Sequence, residues 1–252
     1  MKFPGAIVLL FPLILAGCAG TGPVHRDLTA NLRLHLANVA ETQGNMTEAL
    51  AILSHAAARW PGKIAVQKAY AQALLKNNQV MAARNVMSRI AARHPGDRAL
   101  ERQVGVIDID AGNEHLGVGI FDHLLATGPR DWRTMVDKGV ALDIAHHHVA
   151  AQQLYCHALT LSPHPAGVAT DLAMSLMLQG RLDEARTILD PYFVRYDTSR
   201  KTRDDLAVLY QATGETNRVK QLLTSATQRQ EIAELALHLP TRTTSAGGKV
   251  CD

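Results

Sequence analysis

The sequence predicts an all-α chain built as a row of helical hairpins, and three observations predict it. Aromatic residues make up only 4% of the 252 residues while apolar residues reach 47%, a balance that favours helices over sheets of β-branched and aromatic strands. A single register of 34 residues runs through most of the chain, which is the signature of a repeat architecture. Pro61, Pro95, Pro129 and Pro163 fall at the same place in that register, against a background of about one proline in twenty residues.

The chain opens with "MKFPGAIVLLFPLILAGC": Lys2, an apolar run through Leu15, the small residues Ala16 and Gly17, then Cys18. That order matches a secretory signal peptide over residues 1–17,. Phe3 to Gly20 also just reaches the length of a spanning helix,. Pro4 and Pro12 would cost such a helix much of its hydrogen bonding, which favours the signal reading,. Residues 18–29 then read as a tether to the repeat domain at 30–238.

Six repeats begin at Ala30, Ile64, Arg98, Trp132, Ala166 and Arg200. Position 8 holds Ala37, Ala71, Gly105, Gly139, Ala173 and Ala207, and position 20 holds Ala49, Ala83, Gly117, Ala151, Ala185 and Val219. Small residues at these two places let antiparallel helices approach closely. Leu53, Met87, Phe121, Tyr155, Leu189 and Leu223 at position 24 fill the space between neighbouring repeats,. Gly44, Asn78, Gly112, His146, Gly180 and Gly214 at position 15 mark the turn inside each hairpin, most of them residues that tolerate left-handed backbone,. The proline at position 32 ends the second helix, and the pattern lapses at Asp197 and Glu231,.

The third repeat departs most from this pattern. Gly105, Gly112, Gly117 and Gly119 lie in or between its helices, and Asp108 occupies a usually apolar position. Lys138 does the same in the fourth repeat. A buried carboxylate or ammonium needs a partner, so the expectation is that Asp108 and Lys138 pair at a pliable joint, or else that both side chains reach water. The tail 239–252, "TRTTSAGGKVCD" from Thr241 on, is polar and glycine-bearing and is expected to be disordered,.

Composition and motifs exclude several functions. The formal charge is +3 and no basic block of five residues occurs, so no nucleic-acid footprint is visible. There is no phosphate loop, nucleophile elbow, zinc-protease helix or paired CxxC,. His146, His147 and His148 sit together at a hairpin turn, where consecutive side chains point apart, so they read as a solvated turn rather than a metal site,. Asp108 to Asp110 resembles the short acidic motif of some glycosyltransferases but lies in a helix with no nucleotide-binding strand. Neither enzymatic activity nor a cofactor or metal is expected. Cys156 and Cys251 have the chemistry for a disulfide in an oxidising compartment, but read as one packed thiol and one loose one.

Positions 5, 9 and 12 of the first helices stack above one another on a face that the core does not need. They supply a candidate partner-binding groove of Lys68, Gln72, Arg102, Val106, Val136, Val140, Asp143, Thr170, Met174 and Met177. Cations at one end and apolar residues further along suit a segment carrying a few acidic and several apolar side chains. The competing reading is an ordinary solvated face.

The period and these residue classes resemble the tetratricopeptide repeat over about four fifths of the chain, with "LMLQGRLDEARTIL" (176–189) and "TQGNMTEALAIL" (42–53) as good copies. The resemblance implies a right-handed superhelix whose concave face binds a peptide or protein. Leu15, Ala16 and Gly17 before Cys18 resemble a bacterial lipobox. In lipoproteins the cysteine sulfur receives a diacylglycerol and the chain is cut before it, and three acyl chains make a durable anchor. Ala19 after the cysteine, rather than an aspartate, implies transport to the outer membrane, on its periplasmic face in a Gram-negative bacterium.

The stretch 137–189, with Gly139, Ala141, Leu142, Asp143, Ala151, Tyr155, Ala158, Leu159 and Pro163, and then Leu206, Ala207 and Tyr210, resembles the TadD family of Flp pilus assembly lipoproteins in the tight-adherence secretion system. That resemblance implies a non-enzymatic, pilotin-like factor whose partner is the pilus secretin or another pilus-assembly protein. The alternative is a generic periplasmic scaffold serving outer-membrane protein insertion or a cell-wall enzyme.

Overall fold

The computed structural model describes residues 23–192, 200–240 and 250–251. They form two compact bodies, one holding the described residues through Ala73 and the other those from Leu74 onward. Among the described residues all regular structure is helical. In chain order the helices are α1 (Pro23–Thr42), α2 (Met46–Arg59), α3 (Ile64–Lys76), α4 (Val80–Arg93), α5 (Arg98–Asp110), α6 (Glu114–Thr127) and α7 (Trp132–Ile144). They continue with α8 (His148–Leu161), α9 (Pro165–Leu178), α10 (Leu182–Leu189), α11 (Arg200–Ala212), α12 (Thr216–Leu222) and α13 (Ala226–Leu237).

The hairpin turns show why the register holds. All six residues at position 15 have positive φ, from +57° at Asn78 to +79° at Gly44 and Gly214. The N–H of the following residue donates back to the carbonyl at position 11 every time: Asn45 to Ala40, Gln79 to Leu74, Asn113 to Asp108, His147 to Leu142, Arg181 to Leu176 and Glu215 to Tyr210, at 2.7–3.0 Å. This closure occupies carbonyls that a helix end leaves unbonded and turns the chain at a fixed angle. Helix starts are capped in turn: Asp97 accepts from Ala99 and Leu100, and Asp131 from Arg133 and Thr134,.

In the first body, Ala30, Ala56, Ala57 and Val66 form a small core with Trp60 and Tyr70 against it. Gln67 Nε2 donates to the carbonyls of Ala57 (2.9 Å) and Trp60 (3.2 Å), satisfying the end of α2. In the second body a core built around Tyr155, Leu172, Ala173, Leu176, Leu189, Leu206 and Tyr210 runs from α7 to α13. Helix α11 packs on both α12 and α13.

The structure corrects several expectations. The glycines of the third repeat are packing residues: a Cβ on Gly105 would stand 2.7 Å from the Phe121 ring, and one on Gly117 would stand 2.6 Å from the Gly105 carbonyl oxygen. Helices α5 and α6 therefore cross backbone to backbone, which is close packing rather than a pliable joint. Asp108 and Lys138 do not pair. Asp108 is fully buried and takes a two-pronged ion pair from Arg84 of α4, whose Nη2 lies 3.2 Å from its Oδ2, while Lys138 pairs with the exposed Asp122. The carboxylate found its cation one helix earlier in the chain because Arg84 spans from the surface to the buried site,.

Two boundaries also shift. Helix α1 starts at Pro23, inside the segment expected to be a tether; residues 1–22, with the expected signal peptide and Cys18, lie outside the described residues. In the tail, Cys251 is joined to Cys156 of α8 by a disulfide with the Cα atoms 5.3 Å apart, and Val250 packs on the core. The expectation of two free thiols and a disordered tail fails at those residues, while 241–249 and 252 lie outside the described residues. Sequence spacing hid the pair because 95 residues separate the two cysteines.

Candidate functional site

The groove residues expected from the repeat frame divide between the two bodies. In the first, Lys68 is half-buried and Gln72 exposed on α3. In the second, Arg102 is held by an ion pair to Asp137 of α7. Val106 packs beside the Ile109, Phe121 and Ala141 cluster and Val136 beside the main core. Val140 is exposed and Met174 half-buried. Thr170 and Met177 have no exposed surface and belong to the core. Thr170 lies inside because α9 is flanked by α11: its hydroxyl donates to the Ala166 carbonyl at 2.9 Å and meets the Thr202 hydroxyl at 3.1 Å.

A cleft of about 310 Å³ opens beside these helices, lined by Val140, Asp143 and Ile144 of α7, Tyr155 of α8, Asp171, Met174 and Leu178 of α9, and Lys201 and Asp205 of α11. Only three expected groove residues, Val140, Asp143 and Met174, line it. Asp143 is saturated rather than available: it accepts from the Tyr155 hydroxyl at 2.9 Å and the Ser175 hydroxyl at 2.7 Å, and lies 2.8 Å from His148 Nδ1. Burial, followed by the Asp143 carboxylate beside it, pushes the Tyr155 hydroxyl far above its ordinary value, so it stays a donor,. His146 holds the left-handed turn position and meets His148 edge-on. No group of three or more metal-ligating side chains exists among the described residues.

The repeat frame missed the site's carboxylates by one position. Asp137, Asp171 and Asp205 all occupy position 6 of their repeats, 34 residues apart. They lie within electrostatic reach of one another: Asp171 raises the carboxyls of both Asp137 and Asp205. Asp137 is pushed up by burial first, against the pull of Arg102. Asp205 is pushed up to about 6 by burial, with Asp171 and Asp204 adding to it and Lys201 opposing. Lys201 pairs with Asp171, while the buried Oδ2 of Asp205 accepts no hydrogen bond.

Stacked helical hairpins that expose a side cleft define a helical-repeat protein, a class that acts through what it holds. The tetratricopeptide repeat model matches residues 40–103 and 144–196. The chain is 30% identical over 146 residues to the uncharacterized protein y4yS of Sinorhizobium fredii, covering 52% of this chain and 80% of that one. The two stretches that the repeat model matches are tetratricopeptide repeats, and the described helices have the fold of that repeat.

Solved structures agree on the all-α repeat fold. A tetratricopeptide repeat protein from Parabacteroides merdae superposes with a TM-score of 0.68 at 14% identity, covering 86% of each chain. PilW, described as a widely conserved type IV pilus biogenesis factor, gives 0.58 at 19% identity over 83% of this chain and 93% of its own. The pilF structure from Pseudomonas aeruginosa gives 0.55 at 14% identity over 84% and 99%. At these identities the likeness concerns the fold. No helix among the described residues is long and apolar enough to cross a membrane.

Proposed function

We propose that this protein is a non-enzymatic, protein-binding scaffold tethered to the periplasmic face of the outer membrane, where it assists assembly or localisation of the secretin of an Flp-type pilus. The observation that carries the scaffold reading is the cleft of α7, α9 and α11, an open surface with exposed apolar and charged side chains, on a repeat fold whose tetratricopeptide resemblance implies a protein-binding face. The pilus reading draws support from the TadD-like stretch of sequence and from the fold shared with PilW and pilF. Two features support a site outside the cytoplasm. A disulfide persists in an oxidising compartment,. With Cys156 and Cys251 joined, Cys18 is the one cysteine of the sequence left over, and it stands in the lipobox-like "LAGC",.

Replacing Cys18 by Ser in a host that makes Flp-type pili tests the reading. Membrane fractionation, secretin multimers and surface pili are compared with the parent. The expected result is release of the protein from the membrane fraction together with loss of multimers and pili. Unchanged fractionation removes the anchor. Normal multimers despite release remove the pilotin role and leave a periplasmic scaffold for another partner.

A further inference from the structure

The first helices of repeats four to six carry the same stripe. Asp137, Val140 and Ile144 on α7, Asp171, Met174 and Leu178 on α9, and Asp205, Val208 and Ala212 on α11 are spaced i, i+3, i+7 and so share one face of each helix,. Each stripe begins with a carboxylate and ends with an apolar residue about 10 Å further along the axis. Val140, Ile144 and Leu178 expose 39%, 49% and 42% of their surface and line the same cleft, so they present one apolar wall to whatever enters it.

The charges are unevenly answered. Arg102 is taken up by Asp137, and Lys201 by Asp171. At the end of the row the buried Oδ2 of Asp205 has no donor. The cleft itself is lined by three carboxylates, Asp143, Asp171 and Asp205, against the single cation Lys201. A cation arriving there meets unbalanced negative charge in a partly desolvated site, and an apolar group beside it meets Val140, Ile144 and Leu178.

From this juxtaposition we infer that the cleft of α7, α9 and α11 receives a segment of a partner protein carrying Lys or Arg flanked by apolar residues. The cationic nitrogen pairs with Asp171 within the field of the buried, unanswered Asp205 carboxylate, and the apolar side chains lie on the Val140, Ile144 and Leu178 wall. This reverses the acidic segment expected from the sequence: of the two cations expected in the groove, Arg102 is spent on Asp137 and Lys68 belongs to the other body, while Lys201, which lines the cleft, pairs with Asp171. The inference rests on the scaffold reading of this surface and adds the chemistry of the occupant.

The test uses the full chain in detergent and two fluorescent synthetic peptides of equal length and equal leucine content, one with lysines and one with glutamates at the remaining positions. Fluorescence anisotropy at low salt is expected to show the lysine peptide binding at least tenfold tighter, with the gap closing as salt rises. The Asp171→Asn/Asp205→Asn variant is expected to lose that preference. Lys201→Ala, which removes the competing cation, is expected to bind the lysine peptide several-fold tighter, a gain that misfolding cannot imitate. Asp122→Asn, outside the cleft, is expected to change nothing.

Equal or tighter binding of the glutamate peptide, no binding of either, a lysine preference that survives the double variant, or loss of it in Asp122→Asn overturns the inference. The two readings separate cleanly. Lysine preference with normal secretin multimers in Cys18→Ser cells keeps the basic occupant and discards the pilus. Lost multimers with no lysine preference do the opposite.

Discussion

Asp205 combines a cost with a use. Burial, reinforced by Asp171 and Asp204 and opposed by Lys201, lifts its carboxyl to about 6, above the ordinary aspartate value of 3.8. Between those two values the folded chain holds a proton that the unfolded chain has released, so folding stability falls as pH rises through that window. The penalty is absent below it and complete above it. Asp205→Asn should therefore raise stability at pH 7.5 by about 1 kcal/mol, allowing for partial solvent screening, which is roughly 2–4 °C in a body of this size. At pH 4 the two proteins should melt together. Asp137, whose carboxyl is also raised, is present in both and cancels from the comparison,. Thermal melts across pH check this, and a variant that is no more stable at pH 7.5 shows that Asp205 is not strained by its charge. The site was half legible: Val140, Asp143 and Met174 emerged from the repeat frame, but the aspartates one position earlier did not. Consecutive helix positions differ by about 100° in direction, so a one-position error in the frame turned Thr170 and Met177 into the core. The recurrence of aspartate at 137, 171 and 205 was the signal that could have fixed the rotation.

At the scale of the element, two glycines on the same helix α6 have opposite reasons to exist. A Cβ on Gly117 meets the Gly105 carbonyl oxygen and Ile109 Cδ1, both at 2.6 Å, and the first of these is backbone that cannot rotate away. A Cβ on Gly119 meets nothing within 4 Å. Gly119→Ala should stabilise the protein by about 0.5–1 kcal/mol through helix propensity. Gly117→Ala should destabilise it by about 1–3 kcal/mol by forcing α5 and α6 apart. Urea unfolding midpoints of the two variants give the sign directly, and stabilisation by both would show that the helices do not cross as closely as described. The fold was legible at this scale because the constraints are local and repeated. The starts of α3, α5 and α7 fall at Ile64, Arg98 and Trp132, where the 34-residue register puts them. The six left-handed turns and the buried residues at position 24 follow from the same frame. What the register did not carry lies where repetition stops: the early start of α1 at Pro23, the short α10 that runs into a 3₁₀ turn at Asp190–Tyr192, and α13, which packs on α11 after α12 ends at Leu222. Asp108 was also illegible, since its partner Arg84 sits 24 residues away in the preceding repeat and nothing in the spacing singles it out.

For the whole molecule, the Cys156–Cys251 bond ties chemistry to place. It closes a loop across 95 residues, from α8 to the last described residues. Because repeats contact mainly their neighbours, a covalent link from α8 to the tail spans elements whose stability would otherwise rest on successive hairpin contacts. Closing a loop of this length removes conformational freedom from the unfolded chain, by about 4.7 kcal/mol at 100 residues in the chain-entropy account, of which natural disulfides commonly realise about 2–4 kcal/mol. Reductant should therefore lower the unfolding midpoint of the parent, and Cys251→Ser should start from the lower value and ignore reductant. Free-thiol titration of the denatured, unreduced chain should find Cys18 alone in protein that carries no lipid, and no free thiol once the Cys18 sulfur carries its diacylglycerol. Protein made in a reducing cytoplasm should melt like Cys251→Ser and gain stability on oxidation, whereas protein recovered from the periplasm should already be in the stable form. If parent and variant melt alike in both redox states, the bond is not a stabilising link, and the argument from the disulfide to an oxidising compartment falls with it, leaving localisation to be decided by Cys18 alone.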